Sequence, residues 1–108
     1  MGAFVTNASK LQLATISLTA DFLSQLALSE TLTAITTSIV VSSGTDATPS
    51  AVLDGLPTTS GSVATQVVTA GVSGVIYLIN FNGTTSAGNE LIIQTYLAVL
   101  SSNPFQET

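Results

Sequence analysis

The chain of 108 residues has no His, Cys, Trp or Arg, and Lys10 is its single cationic side chain. These missing residue types supply most of the general bases, activated nucleophiles, metal ligands and anion clamps that proteins use in chemistry. Ser, Thr, Asp and Glu residues remain, but the sequence offers no general base that would activate one of the hydroxyls as a nucleophile. We therefore expect that the protein is not an enzyme and that it carries no cofactor.

Charge of either sign is also scarce. Six acidic residues against one lysine give a net charge of -5 and a pI near 4.1, so the chain lacks the Lys and Arg contacts that bind phosphates, and we expect no nucleic-acid partner. Only 6% of the residues are charged, so the surface must consist largely of Thr, Ser, Asn and Gln. Contacts with neighbouring subunits then cost little charge desolvation, which favours a subunit of a larger assembly, with a homo-oligomer among the options.

Metal and membrane binding have little support in the sequence. Asp46 and Asp54 flank a turn-rich stretch and are the one candidate pair of ligands for a calcium ion. The spacing of an EF-hand loop does not accompany them, so we expect no metal. The longest apolar segments, residues 75–79 and 91–100, are too short to span a bilayer as helices, so we expect no membrane partner.

The periodicity is mostly that of β-strands separated by Gly, Asn, Ser and Pro, which is typical of an all-β sandwich or barrel. Residues 74–81 place Val75, Tyr77, Ile79 and Phe81 on one face, which predicts a central strand paired with a long last strand over residues 91–100. Residues 22–28 are compatible with a helical turn or with a loop beneath the sandwich. Further strands are predicted at residues 11–18 (with a bulge), 32–41, 51–56 and 62–69.

A succession of turn motifs carries a resemblance to a known family. These motifs are Ser43-Gly44-Thr45-Asp46, Leu56-Pro57 with Ser60-Gly61, Ala70-Gly71-Val72-Ser73-Gly74-Val75-Ile76-Tyr77 and Thr84-Thr85-Ser86-Ala87-Gly88, followed by an apolar strand. Over residues 31–100 the chain resembles small immunoglobulin-like structural proteins of tailed bacteriophages. The resemblance implies an immunoglobulin-like antiparallel β-sandwich, a place in the virion, and a tyrosine corner at Tyr77. The antibody-type Cys pair and core Trp are absent.

The polar ends flank this domain. We assign residues 1–10 to an N-terminal arm, residues 11–100 to the sandwich and residues 101–108 to a C-terminal tail. Phe4, Val5 and Phe105 are the apolar anchors in the ends and the predicted contacts with a partner protein. The alternative is that both ends are frayed.

The leading functional expectation is a capsid cement or decoration protein that binds the major capsid protein, or other virion proteins, at the surface of a phage head. One alternative is a neck, tail or fibre-attachment subunit of the virion. Another is a carbohydrate or cell-surface binding module, because immunoglobulin-like sandwiches also serve receptor binding.

Overall fold

A computed structural model describes residues 4–27 and 29–100 and places them in a two-sheet β-sandwich. The strands are β1 (Phe4–Leu11), β2 (Ile16–Asp21), β3 (Leu32–Ser43), β4 (Thr58–Ser60), β5 (Val63–Val68), β6 (Ile76–Thr85) and β7 (Glu90–Leu100). The four-stranded sheet has the order β1-β7-β6-β3, and the three-stranded sheet has the order β2-β5-β4. The prediction of an all-β sandwich is confirmed.

The topology is that of an immunoglobulin-like sandwich. Strands β3, β6 and β7 have the arrangement of strands C, F and G, and β2, β5 and β4 that of strands B, E and D. Every pairing within the sheets is antiparallel except β1 with β7, which is parallel. The first strand therefore lies on the β7 edge and not beside β2.

The arm assigned to residues 1–10 does not lie outside the domain over its described part. Strand β1 pairs with β7 along its whole length, from Phe4 opposite Ile93 to Leu11 opposite Leu100. This pairing gives the backbone N–H and C=O groups of β1 hydrogen-bond partners, because the edge of β7 that faces away from β6 is free to pair. Residues 4–11 thus belong to the sandwich, while residues 1–3 and the tail over residues 101–108 lie outside the described residues.

The core follows from the alternation of the paired strands β6 and β7. Tyr77, Ile79 and Phe81 of β6 are fully buried, and Val75 just before them is 3% exposed, so the predicted inward face is confirmed. Strand β6 is central, between β7 and β3, and β7 pairs with it as predicted. Leu18 and Ala20 of β2 and Ala64 and Val68 of β5 contribute the opposing layer of the same core cluster.

Two strand predictions are wrong in detail, and one strand was not predicted. Residues 11–18 do not form one bulged strand, because the chain turns between β1 and β2, with the backbone N–H of Ala14 donating to the carbonyl of Leu11. Residues 51–56 contain the end of a 3-10 turn (Pro49–Val52) and a single bridge from Leu53 to Val68. Strand β4 was missed, since its three residues carry no apolar alternation.

Asn82 and Gly83 follow the predicted strand of residues 74–81 and also belong to β6, which runs on to Thr85. Gly83 has a packing role there, because a Cβ at this position would lie 2.6 Å from Cδ1 of Leu32. The 22–28 segment contains a 3-10 turn over Leu23–Gln25, consistent with the helical-turn option. In residues 4–27 and 29–100 no helix has the length and apolar character needed to cross a membrane.

Candidate functional site

Tyr77 connects two loops at one end of the sandwich. Its ring is fully buried, and its hydroxyl accepts a 2.9 Å hydrogen bond from the backbone N–H of Val72, in the loop that precedes β6. These are the two features of a tyrosine corner, which sits near the start of the equivalent strand in immunoglobulin-like domains. Burial, together with the hydrogen bond to Asp46, raises the pKa of the phenol above its ordinary value. The hydroxyl therefore stays protonated and structural.

Asp46 is the acceptor for that hydroxyl. Oδ2 accepts from Tyr77 at 2.6 Å, and Oδ1 accepts from the backbone N–H of Thr48 at 2.9 Å. These bonds favour the carboxylate, so they lower the pKa of Asp46. In the described residues, no three His, Cys, Asp or Glu side chains cluster as metal ligands would. The candidate calcium ligand is thus engaged in holding the residues after β3 against the β6 entry loop.

The lysine is also engaged internally. Lys10 is 4% exposed, and its ammonium donates to the carbonyls of Leu11, Gln12 and Ala14 at 2.7, 3.1 and 2.9 Å. All three protons are satisfied within the turn that joins β1 to β2. Burial lowers the pKa of the amine. The chain consequently has no Lys or Arg side chain left for pairing with a partner's acid.

Of the predicted partner contacts, the backbone of Phe4 and Val5 lies among the described residues, and the contacts themselves stay a prediction. Phe4 and Val5 occupy register positions opposite Ile93 and Gln94 at the start of β1. Phe105 lies outside the described residues. Tyr77 lies near the start of β6, and its side chain belongs to the core.

The opposite end of the domain is acidic. Glu30 accepts hydrogen bonds from the backbone N–H of Ala27, from Asn89 and, through a very short contact, from the Thr85 hydroxyl. These bonds lower its pKa, with the Thr85 contact the largest cause. A cleft of about 450 Å³ lies beside this cluster and is lined by Ser24, Gln25, Leu26, Ala27, Glu30, Asn89, Glu90 and Leu91. The carboxylate of Glu30 thus serves mainly to hold the β2–β3 and β6–β7 connections together.

The outer face of the four-stranded sheet is the least expected surface. The side chains of residues that are paired across neighbouring strands project to the same side of the sheet. The register therefore defines rows of side chains that run across the strands. One row consists of Leu11 and Leu100, the next of Ser9, Ala98, Ile76 and Ser43, and the third of Asn7, Tyr96, Leu78 and Val40. None of these three rows contains a charged residue.

We call the apolar members of these rows the sheet patch. The fractional exposures of Leu11, Val40, Leu100 and Ile76 are 51%, 51%, 49% and 37%, whereas Leu78, Tyr96 and Ala98 are half-buried by their neighbours. A shallow depression of about 380 Å³ lies over this area, lined by Asn7, Ala8, Ser42, Ile76, Tyr96 and Ala98. The sheet patch therefore combines exposed aliphatic side chains with a concave centre.

The outer face of the other sheet has a different character. Its paired rows carry Ser17 with Val67, Thr19 with Thr65, and Asp21 with Val63. Hydroxyl-bearing side chains of this kind are ordinary for a solvated sheet face. Of the two outer faces, the one with the sheet patch exposes more apolar surface to water, which is unfavourable.

Sequence reasoning missed the sheet patch although a signal was present. Residues 75–79 are apolar without interruption, as are several outward positions of residues 91–100. A strand with only one buried face alternates between apolar and polar residues, while an uninterrupted run indicates that both faces are covered. The prediction of a central strand accounts for the buried face of this run and not for its outer face.

Comparison with family models finds no match for this sequence, and comparison with curated proteins finds none either. Among solved structures, the chain is similar to part of a 2,6-sialyltransferase from Vibrionaceae Photobacterium sp. JT-ISH-224, described in a ternary complex with CMP and lactose. The identity is 17%, the TM-score is 0.50, and the match covers 90% of this chain but 17% of that protein. This likeness concerns the fold alone.

Proposed function

We propose that this protein is a non-catalytic structural subunit of a phage virion, a decoration protein that attaches to the capsid surface. Its partners are the major capsid protein or other virion proteins and further copies of itself. The proposal joins the resemblance of residues 31–100 to phage structural proteins with the surface chemistry of the sandwich.

The observation that carries the assembly role is the sheet patch. Four of its residues are more than a third exposed, on a rigid sheet, with no charge in their rows. An exposed apolar face of this kind is typical of a protein interaction surface. The side chains best suited to chemistry, Asp46, Tyr77 and Lys10, are engaged in internal hydrogen bonds. The surface is suited to contact and not to catalysis.

The stabilising mechanism is mass action. A subunit that binds only the assembled shell lowers the free energy of that shell relative to its separated parts. Because many copies bind one particle, a small free energy per copy is multiplied over the lattice. No charged hot spot is needed for this.

A neck, tail or fibre-attachment subunit is the alternative within the virion, and copy number separates the two. Carbohydrate binding takes second place because the described residues lining the cleft at Glu30 offer carboxylate and amide groups but no aromatic platform. That cleft gives sugar hydroxyls hydrogen-bonding partners and no ring to stack on.

The test compares phage particles that contain this protein with particles assembled without it. We expect particles lacking it to release their DNA at a lower temperature, and the purified protein to restore the parental temperature in proportion to occupancy. An unrelated acidic protein at the same concentration is the control. Equal heat stability with and without the protein, or failure of the protein to sediment with particles, would contradict a decoration role.

A further inference from the structure

We propose that the sheet patch docks a second copy of this chain, so that the two four-stranded sheets pack face to face about a two-fold axis, with their strands antiparallel. An interface of this kind is isologous, because each copy presents the same surface to the other. The inference goes beyond the virion role and holds for the free protein in solution.

The shape of the sheet patch suits contact with a second copy of itself. The depression on the sheet patch lies where Ala98, a small residue, adjoins the larger Tyr96 two positions earlier on β7. A two-fold axis that crosses the strands between these two rows places Tyr96 of each copy over Ala98 of the other. The same operation sets Leu78 over Ile76. A large side chain thus fills the hollow above a small one on both sides of the axis.

The negative charge of the two copies restricts how they can pack together. Each copy has a net charge of -5, so a dimer forms only if its acids stay apart. Glu90 begins β7, ten residues from Leu100, and Glu30 bonds to Asn89 in the adjacent turn. With antiparallel strands and an axis through the sheet patch, the acidic ends project at opposite extremes of the dimer. The arrangement therefore buries rows that carry no charged residue and keeps Glu30 and Glu90 of the two copies apart.

The free edge of β3 is a weaker candidate for self-association. Irregular register interrupts its pairing with β6 at both ends, between Leu32 and Ala34 and between Val41 and Ser43. Bulges of this type twist an edge away from a flat partner. Residues 53–57 also lie beside β3, forming a groove with its central residues. The edge is therefore partly covered, whereas the sheet patch has no element of the described chain over it.

The size of the contact sets the expected affinity. Three rows two residues apart and four strands about 4.8 Å apart span roughly 20 by 19 Å, or roughly 400 Å² per copy. A standard interface buries about 800 Å² per partner, so we expect a weak, reversible dimer with a dissociation constant on the order of 0.1 mM.

Sedimentation equilibrium at concentrations from about 10 µM to about 1 mM, a range set by that weak affinity, tests the association. The double variant Val40→Lys/Ile76→Lys should weaken dimerisation at least about tenfold, because each copy would bury two unpaired ammonium groups in a desolvated contact. The matched control, Thr19→Lys/Thr65→Lys, adds the same charge to the outer face of the other sheet and should dimerise like the parent. Added NaCl should strengthen the parental dimer by screening its net charge.

The proposed register has its own test, because the chain contains no cysteine. Under mild oxidation, an equimolar mixture of Tyr96→Cys and Ala98→Cys copies should form disulfide-linked dimers faster than either variant alone. Thermal melts of each variant confirm that it is folded before cross-linking.

Two outcomes would overturn the inference: a monomeric parent throughout the concentration range, or a dimer that persists unchanged in the Val40→Lys/Ile76→Lys variant while that variant remains folded. Preferential linkage of like copies would overturn the register. None of these outcomes bears on the heat stability of particles, so failure of this inference and failure of the virion proposal are distinguishable.

Discussion

The hydroxyl of Tyr77 donates a 2.6 Å hydrogen bond to Oδ2 of Asp46 while it accepts a 2.9 Å bond from the backbone N–H of Val72. One buried phenol thereby joins the loop after β3 to the loop before β6. Both loops border the end of the domain at which the sheet patch lies. The phenol is thus one of the groups that hold that end together, beside the bond from Gln12 to the carbonyl of Gly71.

Replacing Tyr77 by Phe removes both hydrogen bonds and keeps the ring. We expect the free energy of unfolding to fall by about 1 to 3 kcal/mol, because the Val72 N–H and the Asp46 carboxylate lose their shared partner. Tyr77→Ala also loses the buried ring and should cost about 3 to 5 kcal/mol. Urea unfolding measures both values. Tyr96→Phe on the half-buried outer face is the control, and an equal effect of the two Tyr→Phe changes would contradict the structural role of Tyr77.

Acid should destabilise the fold below about pH 4. Hydrogen bonds lower the folded-state pKa of Asp46, of Asp21 (mainly through the Leu23 N–H) and of Glu30. Their contribution to stability is therefore complete above the unfolded-state pKa values and is lost as the pH falls through the folded-state values. Unfolding free energies measured between about pH 2 and pH 6 should show this loss, a window that brackets the ordinary carboxyl pKa values.

The variant Asp46→Asn isolates one part of this acid dependence. It cannot ionise, so the slope of stability against pH should be shallower than in the parent. Tyr77→Phe removes the donor of the same bond and should flatten the slope in the same direction. A slope that is unchanged in both variants would show that the Asp46–Tyr77 bond does not contribute to the acid transition.

Gln25 is a buried amide with an incomplete set of partners. Its Nε2 lies 3.5 Å from the carbonyl of Ile92, and its Oε1 has no hydrogen-bond partner among the described residues. Such an atom costs about 1 to 3 kcal/mol, so Gln25→Met should stabilise the protein by about 1 kcal/mol. Thermal and urea unfolding provide the measurement.

Gln66 is the matched control for that change. It is also buried, but its Oε1 accepts from Thr37, and its Nε2 donates to the carbonyls of Gly55 and Val67. Gln66→Met therefore leaves several groups without partners and should destabilise by about 2 kcal/mol. Loss of stability in both variants would show that the Gln25 amide is better satisfied than its contacts indicate.

Lys10 should react slowly with acylating reagents in the folded protein. Its ammonium is buried and bound to three carbonyls, so a reagent reaches it only when the β1–β2 turn opens. Mass spectrometry of Lys10 after labelling, with and without urea, measures the difference. Equal labelling rates under the two conditions would contradict the carbonyl cage.

The sequence predicts the alternation of β6 and β7 well, because period-two burial of Tyr77, Ile79 and Phe81 is a local pattern. It fails at the β1–β2 turn, where Leu11 and Leu13 look like alternating strand residues although both are exposed. What distinguishes a turn there is the cage around Lys10, a set of contacts that no local pattern shows.

The candidate surface was less predictable than the fold. Phe4, Val5 and Phe105 are apolar residues in polar ends, which is a local pattern, whereas the parallel pairing of β1 with β7 is a long-range contact. Likewise, the sheet patch exists only because three strands, β3, β6 and β7, align Val40, Leu78 and Tyr96 in one row. Assembly of such a row depends on register and not on any segment alone.

The most direct test of the structural role is the copy number of this protein in purified phage particles, measured by quantitative mass spectrometry against the major capsid protein. A decoration protein is predicted to be present at a near-stoichiometric ratio to the capsid subunit. A few copies per particle would identify a neck, tail or fibre station instead, and absence from particles would contradict the virion role altogether.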